Sequence, residues 1–278
     1  MPFLLITRGS LADLGVFLVV VFLASLALAV PAWAQSGEFL KTPLVEDSQN
    51  PMEVDVAEDG RVFYIERFGD VRVWDPVTEE VETIGHVDAY TGFENGLMGL
   101  ALAPDFSASD QLYLAYSLAP QATLKQRVSR FTLDAGGQLD LATEEVIYEW
   151  THQRERCCHS AGALEFGPDG SLYISTGDNT DPFESGGYAP IDERPGREAF
   201  DAQRTSANSA DPNGKILRIV PNEGEPGYTV PPGNLFEDDD PLTLPEIYAM
   251  GFRNPFRFKV DPETGWVVMG DYGPDANT

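Results

Sequence analysis

The sequence predicts an all-β fold, specifically a β-propeller, and three observations support this prediction. Short runs of β-branched and aromatic residues recur, and a turn rich in Asp, Gly and Pro precedes each run. The turn residues Asp59, Asp105 and Asp169 lie 46 and then 64 residues apart, and repeats of about 40 to 50 residues are typical of four-stranded propeller blades. The chain after residue 34 contains no long amphipathic helical pattern.

Each strand is predicted from its own turn and its own apolar run. Turns at residues 57–60, 103–106, 167–170 and 261–265 each lead into a strand, and further β-rich runs fill the blades between them. Two long polar segments, residues 179–212 and 222–244, are predicted to be loops, and loops of that length are usually functional or disordered. The predicted strands are residues 61–65, 71–74, 111–116, 128–133, 144–150, 171–174, 215–220, 256–260 and 266–269.

The N-terminus has the pattern of an export signal. Arg8 precedes an apolar run at residues 14–30, and the small-x-small sequence ending at Ala34 predicts cleavage after that residue. An uncleaved anchor is the alternative, because the run has 17 residues. We expect residues 1–34 to be a secretory signal peptide and residues 35–278 to work as one propeller domain in the periplasm or outside the cell.

At about 45 residues per blade, the predicted domain is long enough for four to five blades. A propeller must close on itself to hide its edge strands. We therefore expect the domain to be the N-terminal portion of a longer propeller, and we expect this portion alone to be inactive.

The net charge excludes some classes of partner. The chain has 45 acidic and 18 basic residues and a formal charge of −27, whereas nucleic-acid binding needs clustered Lys and Arg. The same charge argues against binding to anionic lipid, so we expect no membrane contact beyond the signal segment. The acidity is explained either by a solvated, self-repelling surface or by carboxylates that bind calcium.

A histidine and an aspartate occupy the two ends of a predicted hairpin. His159 comes just before a strand, a Pro-Asp-Gly turn follows at residues 168–170, and Asp178 ends the next strand. The hairpin can bring the two side chains together, and a histidine held by a carboxylate is a general base with a fixed tautomer. The alternative is that His159 fills a polar gap between strands.

The two cysteines are adjacent in the sequence and directly precede His159. Cys157 and Cys158 are the only cysteines of the chain. Outside the cytoplasm such a pair either forms a vicinal disulfide or stays reduced in a protected site. The hypothesis we favour is a bridge that forms a stiff, apolar lid for a flat cofactor.

Five segments, taken in order, resemble a known family. The sequence is similar to the soluble pyrroloquinoline quinone (PQQ)-dependent sugar dehydrogenases, the glucose/sorbosone dehydrogenase family of six-bladed propellers, from about residue 45 to the chain end. The segments are residues 93–106, residues 158–159 with 166–173, residues 176–178, residues 214–219, and residues 251–255 with 273–274.

The resemblance implies a role for each matching position. His159 stands where the family has its catalytic base, and Asp178 where an aspartate orients that base. Arg253 and Asn254 stand at cofactor contacts, and Arg253 would also stabilise the negative charge that develops on the quinone.

Further positions match the cofactor and metal sites of the family. Glu94 and Cys158 stand at cofactor-binding positions, where the family's glucose enzymes have Gln and Asp. Gly273 and Pro274 stand where backbone carbonyls hold the calcium ion that touches the quinone.

The function implied by this resemblance is the PQQ- and Ca²⁺-dependent oxidation of an aldose hydroxyl by hydride transfer to the quinone, with His159 as the base. The partners would be a sugar substrate and an external electron acceptor. Two other functions remain open. One is a calcium-dependent propeller lactonase or other hydrolase, and the other is a non-catalytic propeller that binds a carbohydrate or a protein.

Overall fold

The computed structural model describes residues 41–273. The predicted signal peptide and Pro274 therefore lie outside the described residues. All the strands belong to one compact unit that begins at Leu44. Within residues 41–273, helix is limited to one turn, α1 (Phe106–Ser109), and two 3-10 turns, Glu198–Phe200 and Ala202–Arg204. No helix in this part of the chain is long and apolar enough to cross a bilayer.

The first two sheets are four-stranded antiparallel meanders. The first has the order β1-β2-β3-β4 and the second has the order β5-β6-β7-β8. The strands of the first are β1 (Pro51–Val56), β2 (Val62–Glu66), β3 (Asp70–Trp74) and β4 (Val81–His86). The strands of the second are β5 (Leu97–Leu102), β6 (Gln111–Ser117), β7 (Lys125–Leu133) and β8 (Leu139–Thr151).

The third and fourth sheets continue the same pattern. In the third sheet β9, β10 and β11 pair in order, and both β12 and β13 pair with β11. The fourth sheet is the antiparallel pair β14-β15. The strands are β9 (Ala161–Phe166), β10 (Leu172–Thr176), β11 (Lys215–Pro221), β12 (Tyr228–Thr229), β13 (Ile247–Met250), β14 (Pro255–Val260) and β15 (Val267–Asp271).

The sheets are arranged as propeller blades. The first strand of each sheet packs beside the first strand of the next, because β5 contacts both β1 and β9, and β9 contacts β14. The all-β propeller prediction is confirmed. The described residues hold three sheets of four or more strands and a fourth of two, which is the lower end of the expected four to five blades.

The core is divided among the gaps between neighbouring sheets. One cluster includes Phe63 and Leu114 and joins the first sheet to the second. The next includes Val128 and Ile174 and joins the second to the third, and Phe258 packs the fourth onto the third. Each such side chain contributes about 1.5–3 kcal/mol when fully buried, so face-to-face packing of the blades holds the first strands of the sheets and their loops in place.

All nine predicted strands overlap observed strands. Several strands were missed, namely β1, β4, β5, β12 and β13. In β5, all six residues of Leu97–Leu102 are buried, and such a continuous apolar run has no strand periodicity by which to recognise it. In β4, only one of six residues is buried, so it shows no clear alternation between an apolar and a polar face.

Candidate active site

His159 and Asp178 leave the third sheet at the same end. His159 lies two residues before β9, and Asp178 lies two residues after β10. These strands are antiparallel neighbours, and Ala161 pairs with Thr176 beside the two residues. His159 Nδ1 is 2.6 Å from Asp178 Oδ1, and both side chains are buried. The predicted hairpin therefore brings the two groups into direct contact.

The Asp178 carboxylate is fixed by more than the histidine. Its Oδ1 also accepts hydrogen bonds from the N–H and the hydroxyl of Thr180, both at 2.8 Å. The backbone N–H of Asp178 donates to the carbonyl of Arg253 at 2.7 Å. An ionised carboxylate only accepts hydrogen bonds, so it favours the tautomer with the proton on Nδ1 of His159. The Nε2 atom is then left as a proton acceptor.

The backbone around His159 is held in an unusual conformation. His159 has φ +57° and Ala161 has φ +44°, in the left-handed region that non-glycine residues seldom adopt. Gly177 faces this segment, and a Cβ atom there would overlap the carbonyl oxygen of His159. Only glycine therefore lets the chain before Asp178 approach His159 so closely.

Glu94 reaches this segment from the connection between β4 and β5. Its Oε2 accepts the backbone N–H of His159 at 2.6 Å and that of Ser160 at 3.4 Å. Arg67 holds the same connection, because its Nη1 donates to the carbonyls of Phe93 at 2.8 Å and Asn95 at 3.0 Å. Glu94 is thus the residue that joins this connection to the His159 backbone.

Arg253 and Asn254 lie directly before β14. Asn254 Oδ1 accepts the N–H of Ala161 at 3.1 Å. Arg253 Nη1 donates to the carbonyls of Tyr272 at 2.8 Å and Gly273 at 3.2 Å. The fourth sheet is thereby tied to the segment that carries His159.

Glu94, His159, Arg253 and Asn254 line one cleft of about 540 Å³. Its wall combines the polar groups with methionine, proline and aromatic side chains, among them Met98, Pro182 and Phe256. A largely apolar cleft of this size with a few converging polar groups is typical of a small-molecule or cofactor site. A flat, anionic quinone fits this chemistry, because the apolar walls suit its rings and the Arg253 guanidinium suits its charge.

The cysteine pair lies at the same cleft. Cys157 and Cys158 are joined as a vicinal disulfide, and Cys158 contributes to the wall. Within residues 41–273, the only group of three His, Cys, Asp or Glu side chains with ligand atoms within 4.8 Å of one another is Glu94 with these two cysteines.

The expected calcium ligands are only partly within the described residues. The carbonyl of Gly273 accepts a hydrogen bond from Arg253, which lines the cleft. Pro274 lies outside the described residues. Calcium takes six to eight oxygen ligands, and Gly273 is the one of the two expected carbonyl ligands that the described residues include.

Three supporting residues were not predicted from the sequence. Thr180 holds Asp178, and Asp271 accepts the N–H of Asn254 at 2.8 Å. Asp271 lies two residues after the predicted strand 266–269, whose hairpin partner follows Asn254, so its place near Asn254 could have been predicted. His152 has no comparable signal. Its Nε2 lies 3.2 Å from the hydroxyl of Ser160, and burial, with the nearby Arg154 charge, lowers the pKa of His152 to about 3.

The fold and the site define a β-propeller with a buried His–Asp pair beneath an open cleft. The chain belongs to the glucose/sorbosone dehydrogenase family, whose model matches residues 48–277. The resemblance stated from the sequence is therefore confirmed. Its structural neighbours include proteins named glucose dehydrogenase and aldose sugar dehydrogenase.

Similar solved structures come from bacteria. A putative oxidoreductase (glucose dehydrogenase) from Thermus thermophilus is 29% identical, with a TM-score of 0.65, over 84% of this chain and 61% of that one. The PQQ-bound aldose sugar dehydrogenase of Streptomyces coelicolor has the same fold, with 22% identity and a TM-score of 0.64 over 84% of this chain and 60% of that one.

A curated relative carries a different name. The human Hedgehog-interacting protein is 26% identical over 219 residues, which are 72% of this chain and 28% of that protein. The chain spans about half the length, or less, of the curated relatives that it matches.

Proposed function

We propose that the protein is a sugar dehydrogenase that oxidises an aldose hydroxyl with PQQ and calcium. The observation that carries the proposal is the 2.6 Å contact between His159 Nδ1 and Asp178 Oδ1 at the wall of the cleft. Oxidation of a hydroxyl needs a base for the O–H proton and an acceptor for the hydride. Bound PQQ would accept the hydride, and calcium would polarise a quinone carbonyl.

The chain itself supplies the base. Nε2 of His159 makes no hydrogen bond within the described part of the chain, and His159 borders the cleft. It would take the hydroxyl proton of a sugar bound there, and the imidazole would become positively charged. Asp178 would stabilise that charge and keep the ring oriented, because its carboxylate is fixed by Thr180.

The cofactor would be surrounded by the side chains of Arg253, Asn254, Cys158 and Glu94. Arg253 would place positive charge beside the anionic quinone, where it would also stabilise the reduced form. The disulfide at Cys158 would form a flat apolar wall. The carbonyl of Gly273, with that of Pro274, would contribute oxygen ligands to calcium.

The conditions under which the protein works follow from the same proposal. The predicted signal at residues 1–34 would export it to the periplasm or the outside of the cell. The electrons would leave to an external acceptor that the cleft does not identify. Because the chain spans about half the length of its curated relatives, turnover is to be measured with the protein as it is made in the cell, and quinone binding with both that protein and this chain.

The test adds the cofactor, the metal and the substrate singly and in combination. We expect dye reduction by an aldose only when PQQ and Ca²⁺ are both present, and we expect EDTA to abolish it until calcium is restored. Calorimetry should show saturable binding of PQQ. Dye reduction that needs no PQQ, or no PQQ binding at all, would contradict the proposal.

The same assays separate the other functions. The similarity to the Hedgehog-interacting protein favours, as a second candidate, a propeller that binds a partner without catalysis. The absence of both dye reduction and PQQ binding would support this candidate. A calcium-dependent lactonase would cleave an ester with metal alone. Such a lactonase would need several side-chain ligands on its metal, and among the described residues the one group of three His, Cys, Asp or Glu side chains contains a single carboxylate.

A further inference from the structure

We infer that Glu94 is a positioning residue that holds the backbone of His159 so that the imidazole meets Asp178. The inference deepens the proposed function and rests on it for its consequence in catalysis. It assigns to Glu94 a task different from the cofactor contact that the family resemblance implies. The evidence is the set of contacts on either side of the Glu94 carboxylate.

The segment that carries His159 needs an external acceptor. With φ +57°, His159 directs its N–H away from the pairing of β9, and the N–H of Ser160 follows it. The carboxylate of Glu94 accepts both, at 2.6 Å and 3.4 Å. A buried N–H without a partner costs about 1–3 kcal/mol, so loss of this acceptor favours a different backbone conformation at His159.

The acceptor is itself fixed in place. The Glu94 connection is held through Arg67, whose Nη1 lies within 3.2 Å of the carbonyls of Thr91, Phe93 and Asn95. Asn95 also accepts a hydrogen bond from the hydroxyl of Ser117 on β6 at 2.9 Å. The backbone on either side of Glu94 is therefore held independently of the histidine segment.

The carboxylate of Glu94 is better suited to accepting these N–H groups than to contacting an anionic cofactor. Hydrogen bonds from N–H groups to an ionised acceptor are about twice as strong as those between neutral groups. Both N–H donors reach the same oxygen of Glu94, and they offset its negative charge. The negative side chain can therefore border a cleft meant for an anionic quinone.

The test follows the hydrogen-bonded Nδ1–H proton of His159 by ¹H–¹⁵N NMR, without cofactor or sugar. The chain has only three histidines, and His159→Gln assigns the signal. We expect Glu94→Ala to lose the signal and Glu94→Gln to keep it, because the amide oxygen still accepts. Glu94→Asp keeps the charge, but its shorter side chain does not reach the N–H groups of His159 and Ser160, so the His159 signal should weaken. This variant decides whether the inference holds if Glu94→Ala does not fold.

The matched control is Asp55→Ala. Asp55 Oδ2 accepts the backbone N–H of Leu102 from the next sheet at 2.9 Å, outside the cleft, and its loss should leave the His159 signal unchanged. A wild-type signal in both Glu94→Ala and Glu94→Asp would overturn the inference. An equal loss of the His159 signal in Asp55→Ala would also overturn the inference, because it would show a general effect on stability.

Turnover is a separate readout. If the wild-type protein oxidises a sugar, Glu94→Ala should lower kcat roughly 10²-fold, the cost of a misplacement of about 1 Å, and Glu94→Gln should restore most of it. If kcat is unchanged while the signal is lost, the inference fails for catalysis. If the wild type oxidises no sugar, the proposed function fails, and NMR still decides whether Glu94 holds His159.

Discussion

His159 Nδ1 lies 2.6 Å from Asp178 Oδ1, although 19 residues separate them in the chain. The antiparallel hairpin of β9 and β10 makes this contact, because His159 lies just before β9 and Asp178 lies just after β10, at the same end of the hairpin. A second aspartate–histidine contact, between Asp70 and His86 at 2.7 Å, lies exposed on the first sheet. The two pairs have the same chemistry, so they allow a direct comparison of position.

Replacement of the base should abolish turnover and spare the cofactor. In the full-length protein, His159→Ala should lower sugar oxidation by about 10²–10⁴-fold, the usual cost of losing a general base. PQQ affinity should stay near the wild-type value, because the base acts on the sugar proton. His86→Ala is the control and should leave both unchanged. Wild-type turnover in His159→Ala would show that the base assignment is wrong.

Asp178→Asn should lower the rate by a smaller factor than His159→Ala. The imidazole remains, but the amide no longer fixes its tautomer, and its orientation is disturbed. Steady-state rates across pH values measure the effect. Asp169→Asn, in the exposed turn between β9 and β10, is the control and should match the wild type. A loss larger than that of His159→Ala would contradict a purely orienting role for Asp178.

Arg253→Ala should weaken both quinone binding and turnover. The variant removes a positive charge beside the anionic cofactor and also the contacts to the carbonyls of Tyr272 and Gly273. Calorimetry with PQQ and steady-state kinetics measure the two effects. Arg61→Ala, which breaks a surface pair with Asp59, should change neither. Undiminished PQQ affinity in Arg253→Ala would remove Arg253 from the cofactor site.

The sequence predicts local relationships of this site better than distant ones. The His159–Asp178 contact is predictable because one turn and two strands determine it. The Glu94–His159 contact joins the connection between the first two sheets to the third, across 65 residues, and no periodicity shows which connection will reach which strand end. The family resemblance singled out Glu94, but only the packing of the sheets shows which atoms it touches.

The cysteine pair should be oxidised in the mature protein. Cys157 and Cys158 are adjacent and joined, Cys158 borders the cleft, and the export signal predicts an oxidising compartment. Mass spectrometry of the unreduced protein should show a mass two hydrogens lower than after reduction, and no thiol should react with an alkylating reagent. Two alkylated cysteines after air oxidation would reject the bridge.

Lys215 places a cation in the interior beneath the long loop that precedes β11. The side chain is fully buried, and its Nζ donates to the carbonyls of Thr205 at 2.8 Å, Ser206 at 3.1 Å and Asn213 at 2.7 Å. Burial lowers the pKa of Lys215 to about 8. Lys215→Met removes all three hydrogen bonds and should reduce the free energy of unfolding by roughly 1–3 kcal/mol at pH 7.

The pH dependence of that loss has a defined sign. Between pH 8 and the ordinary lysine pKa of about 10.4, the unfolded chain binds a proton that folded Lys215 has released, so rising pH favours the folded state. The stability gap between the wild type and Lys215→Met should therefore widen from pH 7 to pH 10, by up to about 3 kcal/mol. Urea unfolding at both pH values measures it. Lys259→Met, at an exposed lysine, should show almost no gap at pH 7 and no widening. A gap for Lys215→Met that stays constant or narrows would show that the buried amine keeps its proton throughout this range.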